Sequence, residues 1–480
     1  MEIWMNSVEE LVKLIKTKKI NAKELQSYYQ NRIITLDEKL KAFIEYKRDY
    51  QKPKSPLTLE GIPYALKDNI LALDTRTTAA SKMLWNYHSP YNASVVEQLS
   101  SSGAVLIGKT NMDEFSMGST TENSAFFATK NPWNLECNPG GSSGGSAVAV
   151  STGMVPFALG SDTGGSIRLP ASYCGVVGLK PSYGLVSRYG LIAFCSSMDQ
   201  IGPITRSVRD AAFILNVISQ ACPYDSNKID VHKDYLKDIE EPVRGFRVAR
   251  IHETVEKNCD SLIRKRFEEA VIKLQWLGVK VDSVTFEQYH QAYPVYKVLS
   301  NAEASSNLAR YDGLSYGLKF KTDDKVNQSA QTRQRGFGQE VKRRILQGTM
   351  NLSQPNENSY YKQALAMRSK LSKHINHLLT IYDAIISPVS GRTPGKLGEN
   401  LNIHQVEPYD VHTCLANLAG IPAISVPMGY TEKTPVGIQF MAARFADDKL
   451  LQIARAFEKT AGFYEDGFYL APHLEGIQDA

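Results

Sequence analysis

The sequence predicts an α/β protein with a large central mixed β-sheet and helices on both faces. Of its 480 residues, 42% are hydrophobic and 22% are charged, as in ordinary globular proteins. Short apolar runs alternate with amphipathic segments along most of the chain. Residues 246–251, 257–277 and 279–286 read as strand, helix and strand, which predicts a parallel strand pair with a crossover helix.

Residues 7–45 are predicted to form two helices that pack on the edge of the fold. Ser7 is followed three residues later by Glu10, and Asn21 is followed in the same way by Glu24. This spacing is typical of a capping box, in which the two side chains satisfy the free N–H groups at the start of a helix. Neither an internal repeat nor a domain boundary is evident, so we expect a single domain over residues 1–480.

The remaining elements are predicted from apolar spacing and from the glycines and prolines between them. Strands are expected at 64–66, 104–107, 155–159, 384–387, 423–426 and 437–441. Helices are expected at 94–101, 146–153, from 207, at 300–311, from 338, and at 364–379, 413–418 and 447–460. Residues 320–335 are strongly polar, and we expect them to form a mobile loop.

The composition argues against several classes of protein. The net charge of +5 is too small to indicate nucleic-acid binding by itself. No apolar run approaches the ~20 residues of a membrane span, and the N-terminus lacks the features of a secretory signal. The six cysteines are scattered without metal-ligand spacing, which fits a reducing compartment. We therefore expect no bound metal, no membrane association and a cytoplasmic location, with a mitochondrial one left open.

Two Gly/Ser clusters lie between ordered elements, at 140–146 (GGSSGGS) and 164–166 (GGS). Glycine allows a close approach of the backbone to a bound atom, and serine can act as a nucleophile or a proton relay. A flexible linker is disfavoured by the apolar elements on either side. A phosphate-binding loop is disfavoured because neither cluster is followed by Gly-Lys-Ser/Thr. The clusters therefore predict a nucleophile site.

Lys67 ends the predicted strand at 64–66. Most lysines are solvated surface charges, and a buried lysine is unusual without a partner. If Lys67 is buried, desolvation lowers its pKa, so that a neutral fraction can act as a base. The step Met117-Gly118-Ser119 reads as a turn that could line a pocket near such a site.

Three motifs resemble the amidase signature family: GIPYALKD around Lys67, PGGSSGGSAVAV around Ser142 and GSDTGGSIRLPASYCGVVGLKPSYG around Ser166. The resemblance extends over essentially the whole chain. It implies that Ser166 is the nucleophile and forms an acyl-enzyme. It also implies that Ser142 follows a cis peptide bond and lies between Ser166 and a neutral Lys67, which accepts the proton.

The same resemblance implies an oxyanion hole formed by backbone N–H groups. These groups would belong to Thr163, Gly164, Gly165 and Ser166, and each donor of this kind contributes a factor of roughly 10²–10³ to the rate. A Ser-His-Asp arrangement is the alternative, in which His412, close to Asp410, would be the base.

NMDEFSMGSTTENSAF, AEASSNLARYDGLSYG and GFGQEVKRRILQGT are similar to the branch of the family that releases ammonia from glutamine to amidate ATP-activated glutamyl-tRNA(Gln). The resemblance implies that Arg344 binds the glutamine carboxylate and Asp410 its ammonium group, with Arg343 as the alternative to Arg344. Many relatives carry two tyrosines where this chain has Tyr296-Lys297, so Lys297 alters a contact expected near the substrate.

That branch implies partners as well as a reaction. They are a larger B subunit, which holds ATP and Mg²⁺ and makes most contacts with tRNA, and a small C subunit. No cofactor is expected in this chain. Two alternatives stay open: a free-standing amidase with the same Lys67-Ser142-Ser166 set, and a catalytically dead scaffold, against which the intact set argues.

Overall fold

A computed structural model of the chain describes residues 3–54, 57–256, 259–322, 324–353, 359–399, 411–431 and 434–462. Within these ranges, no helix combines the length and the apolar character needed to span a membrane.

The described residues form one mixed sheet of eleven strands. The strands are β1 (Phe43–Tyr46), β2 (Pro63–Lys67), β3 (Val105–Thr110), β4 (Phe157–Asp162), β5 (Val177–Lys180), β6 (Gln200–Thr205), β7 (Arg247–Ile251), β8 (Lys280–Val284), β9 (Ala384–Pro388), β10 (Ala423–Tyr430) and β11 (Pro435–Met441). Their order across the sheet is β1-β3-β2-β4-β6-β5-β10-β11-β9-β7-β8. β2 is parallel to β3 and β4, and β7 is parallel to β8 and β9, whereas the other neighbours are antiparallel.

The α-helices are α1 (Val8–Lys16), α2 (Ala22–Leu40), α3 (Ser94–Ser101), α4 (Gly144–Ser151), α5 (Arg168–Cys174), α6 (Val208–Ile218), α7 (His252–Glu256), α8 (Ser261–Trp276), α9 (Ala292–Asn307), α10 (Lys325–Gly336), α11 (Gln339–Ser353), α12 (Tyr360–Ile381), α13 (Cys414–Ala419) and α14 (Asp447–Ala461). Short 3₁₀ helices lie at Ile3–Met5, Lys82–Leu84, Glu114–Ser116, Glu287–Gln291 and Leu308–Arg310. The predicted β-α-β unit is confirmed, since α8 connects the parallel strands β7 and β8.

Successive residues of the strands enter two different hydrophobic cores. Val248 of β7 and Ile386 of β9 belong to one core, and their neighbours Ala249 and Ile385 belong to the other. Because successive side chains of a strand point to opposite faces, the two cores lie on opposite faces of the sheet. The α/β class, with a mixed sheet covered on both faces, is therefore confirmed.

Both predicted capping boxes form. In α1, the Ser7 hydroxyl accepts the N–H of Glu10 while the Glu10 carboxylate accepts the N–H of Ser7. Asn21 and Glu24 make the same reciprocal pair at the start of α2. After α2 the chain turns into β1, the edge strand, so the prediction of helix up to residue 45 is wrong for the last residues of that range.

The expectation of a mobile loop at 320–335 is wrong, because α10 occupies most of this segment. Asp324 caps the helix by accepting the N–H groups of Val326 and Asn327. Arg333 then anchors it by donating to the carbonyl oxygens of Leu308 at 2.9 Å and Tyr311 at 3.0 Å. A helix held by polar contacts of this kind has no apolar stripe, so its periodicity was not visible in the sequence.

Strands β5 and β6 were also missed. Each contains a glycine or a proline, which have low strand propensity, yet every residue in both is buried. β6 lies between β4 and β5 in the sheet and pairs with both. Tertiary pairing therefore decides the structure here. Helix α9 similarly begins at Ala292, before its predicted start.

The N-terminal helices support α4, the helix that begins within the first Gly/Ser cluster. Arg32 of α2 donates from Nε to the carbonyl oxygen of Gly153 at 3.0 Å and from Nη2 to that of Thr152 at 2.8 Å. Its guanidinium also lies 5.0 Å from the centre of the Trp4 ring. Carbonyl groups at a helix end lack partners within the helix, so this arginine satisfies them.

We expect Arg32→Ala to lower the free energy of unfolding by about 1–3 kcal/mol, because it leaves buried carbonyl groups unpaired. The urea midpoint, followed by circular dichroism, measures this loss. Arg48→Ala is the control, since Arg48 is exposed and contacts Tyr46 through a 3.4 Å hydrogen bond to the hydroxyl and a guanidinium 5.6 Å from the ring centre. Equal losses in the two variants would contradict a supporting role for Arg32.

Candidate active site

Two neighbouring parallel strands bring candidate residues together at their carboxyl-terminal ends. β2 ends at Lys67 and the neighbouring β4 ends at Asp162, with Leu66 opposite Leu159. Lys67 and Ser161 thus leave adjacent strands side by side. The carboxyl ends of parallel strands are where α/β folds usually place their sites.

The amine of Lys67 is completely buried, and its hydrogen-bond partners among the described residues are all serine oxygens. Its Nζ lies 2.7 Å from Ser142 Oγ, 2.9 Å from Ser161 Oγ and 3.3 Å from the Ser161 carbonyl oxygen. The structure therefore brings Lys67 and Ser142 into direct contact. Ser161, which sequence reasoning missed, is the third member of the contact.

Burial lowers the pKa of Lys67 from its ordinary value to about 7. The charges of Asp113, Asp162 and Asp199 act in the opposite direction, but each carboxylate is bonded elsewhere. They therefore stabilise the ammonium form only over distance, and desolvation dominates. A neutral fraction of Lys67 exists near pH 7.

Ser142 follows a cis peptide bond from Gly141, as the resemblance implies. A Cβ atom on Gly141 would lie 2.1 Å from Asp113 Oδ2 and 2.9 Å from the carbonyl carbon of Ser119, so only glycine fits. This close approach places Ser119, from the predicted pocket-lining step Met117-Gly118-Ser119, beside the first Gly/Ser cluster. Thr121 adds two hydrogen bonds to that cluster, one to the Gly140 carbonyl oxygen and one from the Gly144 N–H.

Ser166 lies beside Ser142 because the two Gly/Ser clusters are hydrogen-bonded to each other. The N–H of Ser143 donates to the carbonyl oxygen of Ser166 at 3.0 Å. Ser166 is 8% exposed, whereas Lys67 and Ser142 are 0% exposed. Of the three, Ser166 is the one that a substrate can reach, which suits it to the role of nucleophile.

The loop that carries Ser166 is shaped by a buried ion pair between Asp162 and Arg168. Their shortest contact is 2.9 Å, and both side chains are fully buried. Asp162 also accepts the N–H groups of Gly165 and Ile167 and the amide of Asn417. Burial alone would raise the pKa of Asp162, but the charge and hydrogen bonds of Arg168 hold that pKa well below its usual range. The carboxylate therefore stays ionised and fixes the loop from both ends.

This ion pair corrects one expectation for the oxyanion hole. The Gly165 N–H donates to Asp162 Oδ1 at 2.9 Å, so it is already engaged and is not free to bind an oxyanion in this structure. The N–H groups of Thr163, Gly164 and Ser166 remain the predicted donors. The Thr163 hydroxyl donates to Asp199 at 2.6 Å, which holds the start of the loop.

Gly164 and Gly165 are both required by close packing. A Cβ on Gly164 would lie 2.5 Å from the ring of Tyr296. Gly165 has a φ of +132°, which side chains rarely adopt, and a Cβ there would meet Thr413 Oγ1 at 2.2 Å. Tyr296 of α9 therefore forms a wall of the site directly above the loop.

Arg344 faces the site more closely than Arg343 does. Arg344 is 16% exposed and its guanidinium lies 5.7 Å from the Phe194 ring, whereas Arg343 is 37% exposed. Burial alone would lower the pKa of Arg344, but Glu340 and the nearby Tyr296 raise it above its ordinary value. Arg344 thus lies on the side of α11 that approaches Tyr296. Asp410, the other predicted substrate ligand, lies outside the described residues.

His412, the alternative catalytic base, does not face the serine clusters. His412 is buried, with Nδ1 at 2.7 Å from the Tyr289 hydroxyl and Nε2 at 3.9 Å from Cys259 Sγ. Both ring nitrogens thus face groups other than the serines, which disfavours His412 as the catalytic base.

Lys297 lies over the Tyr293 ring, with Nζ 5.5 Å from the ring centre. Across the described part of the chain, no group of three His, Cys, Asp or Glu side chains could hold a metal ion.

Comparisons with known proteins identify the family of the chain. The family model described as Amidase matches residues 15–451. The chain is 47% identical over 469 residues to the A subunit of the glutamyl-tRNA(Gln) amidotransferase of Thermotoga maritima, covering 98% of each chain. It is 43% identical to the protein of the same name from Carboxydothermus hydrogenoformans, covering 97% of this chain and 99% of the relative.

The fold of the chain is also similar to solved structures of amidases. The crystal structure of the Thermotoga maritima protein superposes with a TM-score of 0.86 at 45% identity and covers 98% of each chain. The peptide amidase of Stenotrophomonas maltophilia superposes with a TM-score of 0.80 at 28% identity, covering 95% of this chain and 97% of the amidase. The chain belongs to the amidase family.

Proposed function

We propose that this chain is the glutamine-hydrolysing A subunit of a glutamyl-tRNA(Gln) amidotransferase. The contact of 2.7 Å between the buried Lys67 amine and Ser142, beside the accessible Ser166, supports the amide hydrolysis. We assign the chain to the A subunit because it is similar to the A subunit of such an enzyme over 98% of its length.

Hydrolysis begins when Ser166 Oγ attacks the side-chain amide carbon of glutamine. The Ser166 proton passes to Ser142, whose own proton passes to neutral Lys67. The carbon–nitrogen bond then breaks, and the leaving nitrogen takes a proton back through Ser142 and departs as ammonia. Water activated by the same relay hydrolyses the acyl-enzyme, which yields glutamate and restores Ser166.

The negative oxygen of each tetrahedral intermediate would be bound by backbone N–H groups of Thr163, Gly164 and Ser166. Such donors are effective because they are fixed before the reaction, and the Asp162–Arg168 pair supplies that rigidity. The relay needs no carboxylate or histidine next to the serines, because burial alone keeps part of Lys67 neutral near pH 7.

Glutamine would be oriented by groups at both ends of its backbone. Arg344 uses only Nε for Glu340 among the described residues, so its terminal nitrogens can bind the substrate carboxylate. We assign the ammonium group to Asp410 and a wall of the pocket to Met117, Gly118 and Ser119. Lys297 would alter the polarity at the position where many relatives carry a second tyrosine.

The name of the relatives supports assembly with other subunits. We propose that a B subunit holds ATP and Mg²⁺, makes most contacts with tRNA and uses the ammonia, and that a small C subunit completes the complex. The chain itself would need no cofactor and would work in the cytoplasm. A free-standing amidase is the second candidate, supported by the structural similarity to a peptide amidase.

Ammonia release from glutamine tests the proposed function. We expect release by the full chain to rise sharply when B and C subunits, ATP and glutamyl-tRNA(Gln) are added. Ser166→Ala should reduce release by roughly 10³-fold or more because the nucleophile is lost, while assembly stays intact. Ser101→Ala, an exposed change on α3, is the control.

Two results would contradict the proposal in different ways. Activity that survives in Ser166→Ala would mean that another group is the nucleophile. Release that ignores the partners, together with turnover of simple amides, would instead identify a free-standing amidase.

The two neighbouring arginines allow a matched test of substrate binding. We expect Arg344→Met to lower kcat/KM for glutamine by about tenfold or more, mainly through KM, because a charge-assisted bidentate contact is lost. Arg343→Met should change it by less than about twofold, as for an exposed ion pair. Either variant leaves Glu340 with one arginine partner. The opposite ranking would assign the carboxylate to Arg343.

A further inference from the structure

Asn69 lies two residues after Lys67 and is 2% exposed. Its amide nitrogen donates one hydrogen bond to Ser161 Oγ at 2.9 Å and a second to Ser116 Oγ at 3.0 Å. Its amide oxygen has no hydrogen-bond partner among the described residues. The side chain therefore acts toward Ser161 purely as a donor, and Ser161 is in direct contact with Lys67.

We propose that Asn69 is a positioning residue for the hydrolysis: by donating to Ser161 Oγ, it makes the ammonium form of Lys67 unfavourable and favours a neutral amine beside Ser142. The inference rests on the proposed function of the Lys67-Ser142-Ser166 set. It adds a residue that touches none of the reacting atoms.

The hydrogen bonds around Lys67 fit the ammonium form poorly. An ammonium group has three N–H donors, and Lys67 Nζ has three oxygen neighbours: Ser142 Oγ, Ser161 Oγ and the Ser161 carbonyl oxygen. In that form, Ser161 Oγ receives N–H groups from both Lys67 and Asn69. The proton of the Ser161 hydroxyl then has no acceptor among the hydrogen bonds of the described residues.

The neutral amine removes this conflict. It has two N–H donors and one lone pair, and the Ser161 carbonyl oxygen can only accept. The hydroxyl proton of Ser161 can then be donated to the lone pair, while the two N–H groups of the amine donate to Ser142 Oγ and to the Ser161 carbonyl oxygen. Because an unpaired buried polar hydrogen is unfavourable, the donor at position 69 shifts the balance toward the neutral amine.

The charged groups near Lys67 act against the neutral amine, which burial favours and Asn69 favours further. Asp113 from the segment after β3, Asp162 at the end of β4 and Asp199 before β6 all favour the ammonium form. Asn69 is a neutral side chain that donates to Ser161 Oγ, where an isosteric aspartate would add a fourth carboxylate and an acceptor for the hydroxyl proton.

The test measures how Ser166 reacts with phenylmethylsulfonyl fluoride in the full chain, followed by mass spectrometry between about pH 5.5 and 10, a range that brackets a lowered lysine pKa. In this reaction the serine oxygen bonds to sulfur, fluoride leaves and the serine proton passes to the Ser142-Lys67 relay. The wild-type rate should rise with pH around the Lys67 pKa of about 7, because only the neutral amine accepts the proton.

Asn69→Asp should move the midpoint upward by about one pH unit or more, since a nearby carboxylate favours the ammonium form. Asn69→Ala should move it upward by a smaller amount, and this variant carries the test if Asn69→Asp does not fold. Asn111→Ala is the matched control: Asn111 is also buried, donates two amide hydrogen bonds and has an amide oxygen without a partner among the described residues. Its midpoint should equal that of the wild type.

Unshifted midpoints in Asn69→Asp and Asn69→Ala, with Ser166 still modified, would overturn the inference and leave the proposed function standing. A shift of the same size in Asn111→Ala would also overturn it, because any buried amide would then have the effect. Failure of the reagent to modify Ser166 in the wild type would overturn the nucleophile assignment and the inference that rests on it.

Discussion

The burial of the Lys67 amine among serine oxygens is the constraint on which the rest of the site depends. Moving an ammonium group out of water is unfavourable unless a carboxylate pairs with it, and here the direct contacts are hydroxyl and carbonyl groups. The amine can therefore accept a proton near neutral pH. The fold must keep water out of this position and keep the neighbouring carboxylates engaged with other groups.

The sheet and the loops share this task. The parallel pairing of β2 with β4 sets Lys67 beside Ser161, while α4 begins within the first Gly/Ser cluster and α5 begins just after the second. The Asp162–Arg168 pair keeps one of the neighbouring carboxylates engaged. It also fixes the loop of Ser166 and binds α13 through Asn417. Breaking one partner of such a buried pair typically costs about 3–5 kcal/mol, because an uncompensated charge remains. The ion pair thus links the stability of the fold to the shape of the nucleophile loop.

Much of the site could be predicted from the sequence because its residues lie in short motifs with uncommon composition. Lys67, Ser142 and Ser166 are flanked by apolar segments and glycines. The engagement of Gly165 could not be foreseen, because it depends on where the Asp162 carboxylate points. Ser161 and Asn69 were missed for the same reason: an ordinary serine and asparagine gain their roles only when two strand ends meet.

In the fold as well, the elements that depend on neighbouring residues could be predicted, and those that depend on distant contacts could not. Capping boxes and the β-α-β unit involve neighbouring residues, so local patterns reveal them. β6 and α10 depend on distant partners: β6 is defined by strands on both sides, and α10 is anchored by Arg333 to the segment 308–311. Propensity is a weak guide where such contacts decide the outcome.

Neutron diffraction from deuterium-exchanged crystals of the chain would test the central claim most directly. At pD about 8.5, well above a lysine pKa of about 7, the amine should be mostly neutral. The account predicts two deuterium atoms on Lys67 Nζ, with a hydroxyl deuterium of Ser142 or Ser161 pointing at the nitrogen. Three deuterium atoms on Nζ at that pD would show a stable ammonium group and would contradict the proposed base.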